Sequence, residues 1–108
     1  MKSIYIAGPY TASTPELEAQ NVRNAAEVAY KYIKKRWHVF CPHTMTTYID
    51  IEFNKDKSLT WEDWLILDIY WLAKCDAIHM LPGWRDSKGA TLEYMIAIAL
   101  GLEIRGDV

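Results

Sequence analysis

Two rhythms of apolar and polar residues alternate along the chain, and together they predict an α/β fold. Three short, β-branched runs have the profile of buried strands stopping at loops: Ser3-Ile4-Tyr5-Ile6-Ala7-Gly8, Trp37-His38-Val39-Phe40-Cys41 and Asp76-Ala77-Ile78-His79-Met80-Leu81. Each runs into a proline, at Pro9, Pro42 and Pro82. Thr14 before Pro15-Glu16-Leu17-Glu18 supplies an N-cap, a first-position proline and first-turn acids, which predicts a helix from Pro15 to about Lys35. Thr60 caps a tryptophan-rich helix from Trp61 to Ala73, Ser87 precedes a helical run from Gly89 to Leu100, and Leu102 to Arg105 reads as a last short strand. Residues His43 to Leu59 follow neither rhythm and read as a long loop holding a short helix, a length that in compact domains often serves function. Strands alternating with helices predict one domain, residues 1–108, with a doubly wound parallel sheet of Rossmann or flavodoxin-like type and four to five strands. Ligands bind such sheets beyond the carboxyl ends of the strands, here Gly8-Pro9-Tyr10 and Pro82-Gly83-Trp84.

Two carboxylates break this pattern. Glu93 is the only charged side chain between Ala90 and Gly101, in a run apolar almost all round, which predicts a helix covered on most sides. It projects between Gly89, Ile96, Ala97 and Leu100, where an ionised carboxylate is costly unless paired. Asp68 lies in the middle of the apolar stripe formed by Trp61, Trp64, Leu65 and Leu72. Two such groups on different helices suit the cleavage of a glycosidic bond, in which one carboxylate attacks the anomeric centre and another group manages the proton of the leaving group. A structural reading stays open for both: a Glu bonded to a loop or a dimer partner, and an Asp that caps a loop or binds an arginine. Ser87 and Gly89 stand at a helix start whose free N–H groups favour an anion such as phosphate, although serine there is also a good N-cap.

Composition narrows the partners. A net charge of −2 on 108 residues argues against polymeric nucleic acid, and the basic stretch Lys31 to Arg36 reads as a solvated helix end. No apolar run approaches the roughly 20 residues of a membrane span. Cys41 and Cys75 lack the spacing of a metal knuckle or redox pair, and Cys41-Pro42-His43 has no second pair of ligands, so no metal is expected. Glycine-rich dinucleotide and ATP-binding patterns are absent, and no cofactor is implied. Met1-Lys2 runs directly into a strand with no secretory signal, which makes a reducing, cytoplasmic setting the expectation.

Three motifs in register resemble the nucleoside 2-deoxyribosyltransferase superfamily: Ile4-Tyr5-Ile6-Ala7-Gly8-Pro9, Asp68 ahead of Leu72-Ala73-Lys74-Cys75-Asp76-Ala77, and Ser87-Lys88-Gly89-Ala90-Thr91-Leu92-Glu93. That superfamily includes 2'-deoxynucleoside 5'-monophosphate N-hydrolases. Leu81-Pro82-Gly83-Trp84 brings the chain nearest its compact phage and prophage members of unassigned function. The resemblance spans nearly the whole chain. It implies Glu93 as nucleophile at C1', Asp68 in proton transfer at the leaving base and Tyr5 as a hydrogen-bond partner near the nucleophile. It further implies Ser87 at a 5'-phosphate, with Gly8, Pro9 and Tyr10 lining the sugar and base pocket. Trp84 is a candidate for stacking on a base, with core or interface packing as its rival role. A small-molecule nucleotide or nucleoside as substrate is therefore expected, by hydrolysis or by deoxyribosyl transfer. A nucleotide-binding module without turnover and an N-glycosidase acting on NAD-like nucleotides stand as alternatives. A homodimer or higher homo-oligomer is implied as well, in keeping with five Trp and seven Tyr that one small core does not readily bury. The characterised enzymes complete each site with residues from a neighbouring subunit, and a second phosphate clamp has no evident counterpart in this sequence.

Overall fold

The structure is a computed structural model and describes residues 2–108. Its strands are β1 (Ser3–Ala7), β2 (His38–Phe40), β3 (Ala77–Met80) and β4 (Glu103–Gly106), and its helices α1 (Pro15–Lys34), α2 (Pro42–Met45), α3 (Thr47–Phe53), α4 (Trp61–Leu72) and α5 (Lys88–Leu100). The four strands form one all-parallel sheet in the order β2-β1-β3-β4. The doubly wound architecture expected from the alternating pattern is thus the one observed.

Successive side chains of a strand point to opposite faces, and β1 uses both for burial. Ile4 and Ile6 join Ala25, Ala29 and Tyr32 of α1 on one face. Tyr5 and Ala7 join Phe40, Leu72, Ile78, Met80, Ala90 and Ala97 on the other, beneath α4 and α5. α1 begins where the capping signals predict, with the Thr14 hydroxyl oxygen accepting from the Leu17 N–H at 3.1 Å. α4 starts at a reciprocal capping box between Thr60 and Asp63.

Two expectations are corrected. The His43 to Leu59 segment is mostly helical, with α2 starting at Pro42 and α3 following one residue after α2 ends. Short helices of one and two turns carry too few residues for a 3.6-residue period to emerge from the sequence. The helix bearing Glu93 is not covered on most sides: Met95, Ile98 and Leu100 are exposed on α5, as are Ile66 and Tyr70 on α4. Each of these helices meets the sheet along one side, so an apolar residue on the outer side stays in solvent whatever its type. Among the described residues no helix is long and apolar enough to cross a membrane.

The crossover from β1 to β2 runs one way across the sheet and the chain then returns to place β3 on the other side of β1, making the β1/β3 boundary the topological switch point. The crevice at such a boundary is where open α/β sheets receive ligands.

Candidate active site

A cavity of about 600 Å³ opens at that crevice, walled by the Gly8–Thr11 loop, the α2–α3 segment and the N-terminal parts of α4 and α5. Its volume is that of a small-molecule site. Tyr5, Gly8, Pro9, Tyr10, Asp68, Ser87, Gly89 and Glu93 all border it.

At its floor the Tyr5 hydroxyl donates to Glu93 Oε2, and both residues are buried. The Tyr5 ring cannot swing away, because Phe40 stacks on it at 5.6 Å and Trp71 stacks on Phe40 at 5.3 Å. Burial and then the charge of Glu93 hold the Tyr5 hydroxyl well above its ordinary pKa, so it remains a neutral donor. Burial pushes Glu93 up to about 8; the Tyr5 hydrogen bond opposes this shift and the charge of Asp68 adds to it. Asp68 is half-buried, and burial raises it to about 6. Its Oδ1 is buried without a hydrogen-bond partner among the described residues. On α4 it shares the cavity-facing side with Trp61, Trp64 and Leu65, the stripe in which the sequence places it.

The second pole of the cavity is the start of α5. Ser87 is the N-cap, its Oγ accepting from the Ala90 N–H at 3.2 Å, while its hydroxyl hydrogen is still available to a ligand. The N–H groups of Lys88 and Gly89 have no intrahelical acceptor by position. Lys88 adds a cation, its Nζ 4.6 Å from the centre of the Trp61 ring. A Cβ on Gly89 would meet only the Trp61 indole at an ordinary 3.9 Å, so packing does not demand glycine there. Gly8 differs: a Cβ would sit 2.6 Å from Leu81 Cβ, and its missing side chain is a packing requirement of the strand end.

Trp84 does not stack on a ligand in this cavity. It is buried in the core beneath α5, 4.5 Å from the Tyr94 ring, and its indole N–H donates to the Asp107 carbonyl at 2.6 Å. The left-handed Gly83 (φ 86°) begins the turn that sends this side chain inward, a reversal that the sequence marks only as Pro-Gly.

Several cavity residues carry no signal in the sequence because they belong to the segment whose pattern reads as a loop. His43 is buried and donates Nε2–H to the Pro9 carbonyl at 3.1 Å, and burial lowers its pKa. Asp50, Asn54 and Lys57 line the wall facing Trp61 and Trp64. Only the length of the segment hints at a functional part for it.

Comparison with known proteins identifies a family but no activity. A domain family of unknown function, DUF4406, matches residues 2–105. The chain belongs to that family. No curated protein matches the chain closely enough to lend it a function.

Proposed function

We propose that the protein cleaves the N-glycosidic bond of a 2'-deoxynucleoside 5'-monophosphate through a covalent glycosyl-Glu93 intermediate. The observation that carries this reading is the buried, tyrosine-bonded Glu93 sharing one cavity with a second carboxyl of raised pKa and with the open start of α5. Neither carboxyl is stabilised by a cation within ion-pairing distance among the described residues, a costly arrangement that suits a pair poised for chemistry.

In the first step a Glu93 oxygen bonds to C1', the C1'–N bond breaks, and its electron pair leaves with the base as Asp68 delivers a proton to it. Tyr5 holds Oε2, which leaves the other oxygen to attack. In the second step water attacks C1', Asp68 takes its proton, and Glu93 departs as carboxylate. The products are the free base and 2-deoxyribose 5-phosphate; a second nucleobase in place of water gives deoxyribosyl transfer. Ser87, the first N–H groups of α5 and Lys88 receive the 5'-phosphate. The exposed Ile66, Tyr70, Met95 and Ile98 on the outer sides of α4 and α5 support a homodimer as the working form.

Acid quenching during turnover followed by intact-mass analysis tests the intermediate. A species heavier by one deoxyribosyl 5-phosphate group is expected, and it is absent from Glu93→Gln. An adduct that persists in Glu93→Gln assigns the nucleophile elsewhere.

A further inference from the structure

The wall of the cavity facing α4 holds a carboxylate for which the cleavage mechanism has no use. Asp50, on α3, is engaged through one oxygen: Oδ1 accepts from Trp64 Nε1 at 3.0 Å and from Asn54 Nδ2 at 2.8 Å, while Oδ2 has no hydrogen bond among the described residues. Asn54 is in turn fixed, buried and bonded to both the N–H and the carbonyl of Leu59. Asp50 is therefore aimed by its neighbours rather than free to rotate, and it borders the cavity.

Its position follows from α4. Trp64 precedes Asp68 by one helical turn, about 6 Å along the axis, Asp50 is hydrogen-bonded to its indole nitrogen, and all three residues line the cavity. A base whose glycosidic nitrogen sits at Asp68 and whose ring runs along Trp64 presents its far edge to Asp50. An ionised carboxylate only accepts hydrogen bonds, so that edge has to donate. Cytosine and adenine offer an exocyclic amine there, the group that carboxylates read on cytosine in nucleic acids. Uracil and hypoxanthine offer a carbonyl oxygen in its place, with lone pairs turned toward the carboxylate.

We propose that Asp50, held by Trp64 and Asn54, is the base-selecting residue of this cavity and favours deoxynucleotides of cytosine and adenine, whose exocyclic amine lies at the edge far from the sugar, over those with a carbonyl there. The proposal rests on the N-glycosidase reading of the same cavity for its geometry. Calorimetric titration of Glu93→Gln with dCMP against dUMP, and with dAMP against dIMP, tests it without turnover. Each amine-bearing nucleotide is expected to bind at least about tenfold more tightly than its partner, the scale of one hydrogen bond to a charged group. Adding Asp50→Asn, which turns an acceptor into an amide able to donate, is expected to erase or reverse the preference. If that variant does not fold, the two nucleotide pairs on the Asp50-bearing protein still decide. Equal affinities within both pairs, or tighter binding of the carbonyl forms, overturn the assignment whatever the wild type releases. An amine preference in binding, alongside a wild type that releases no base from any nucleotide, supports Asp50 and removes the N-glycosidase reading. No binding of any nucleotide overturns both.

Discussion

Glu93 is a residue whose chemistry costs the fold something. An unfolded chain ionises a glutamate near its ordinary value of 4.5, whereas burial raises this one to about 8. The folded state therefore holds the proton more tightly than the unfolded state. The associated stability is fully present below about pH 4.5 and is lost as pH rises through about 8. Across that interval the loss is on the order of 3–5 kcal/mol, since each tenfold change in proton affinity is worth roughly 1.4 kcal/mol. Glu93→Gln removes the ionisation, so its melting temperature is expected to exceed that of the wild type at pH 8 and to approach it at pH 4.5. Identical pH profiles of melting would mean that Glu93 does not titrate in this window. Activity has its own dependence. Between about pH 6 and 8 Asp68 and Glu93 share one proton, resident mostly on Glu93. The productive form has it on Asp68, the minor of the two arrangements. A bell-shaped kcat/KM with limbs near those two values is expected, read from base release across pH 5–9. A flat profile over that range would contradict the shared proton.

At the scale of elements, the first turn of α5 does two jobs. Ser87 caps the helix and, in the proposed function, donates to the 5'-phosphate. Ser87→Ala is expected to cost about 1 kcal/mol of stability as a lost cap and to shrink the kcat/KM advantage of a monophosphate over its nucleoside several-fold. Loss of stability with the advantage intact would leave Ser87 a cap alone. The boundaries of this helix, and those of α1 and α4, are legible in the sequence because their caps are spelled out by Thr14-Pro15, Thr60 and Ser87. The central strands β1 and β3 are legible for a different reason, since parallel strands buried on both faces read as short apolar runs, here stopped by proline. α2 and α3 are not legible. Neither has a side-chain cap, and the apolar residues of α3, Tyr48, Ile49, Ile51 and Phe53, are all exposed, so they mark no buried face. With those helices go His43 and Asp50. The floor of the cavity is readable because Glu93 and Asp68 defy their own helices, whereas polar residues on a segment of mixed character defy nothing. Trp84 misleads for the converse reason: a loop tryptophan looks available until the turn at Gly83 sends it inward.

Taken whole, the molecule packs its helices against one sheet and leaves large apolar residues exposed on α1, α3, α4 and α5. Ile66 is 68% exposed and Met95 59%, on the outer sides of adjacent helices. Exposed apolar residues on neighbouring helices are the raw material of an interaction surface. Sedimentation velocity at micromolar protein is expected to show a dimer, and Ile66→Asp combined with Met95→Asp is expected to shift it to monomer. A monomeric wild type would remove the second subunit from the account and leave each cavity to work with the residues of one chain. The measurement that bears most directly on the central claim is chromatographic detection of free nucleobase after incubation with the four common deoxynucleoside 5'-monophosphates, for the wild type and Glu93→Gln side by side. Base and 2-deoxyribose 5-phosphate are expected from the wild type and none above background from the variant. No release from any of the four by the wild type, or release undiminished in Glu93→Gln, would contradict it.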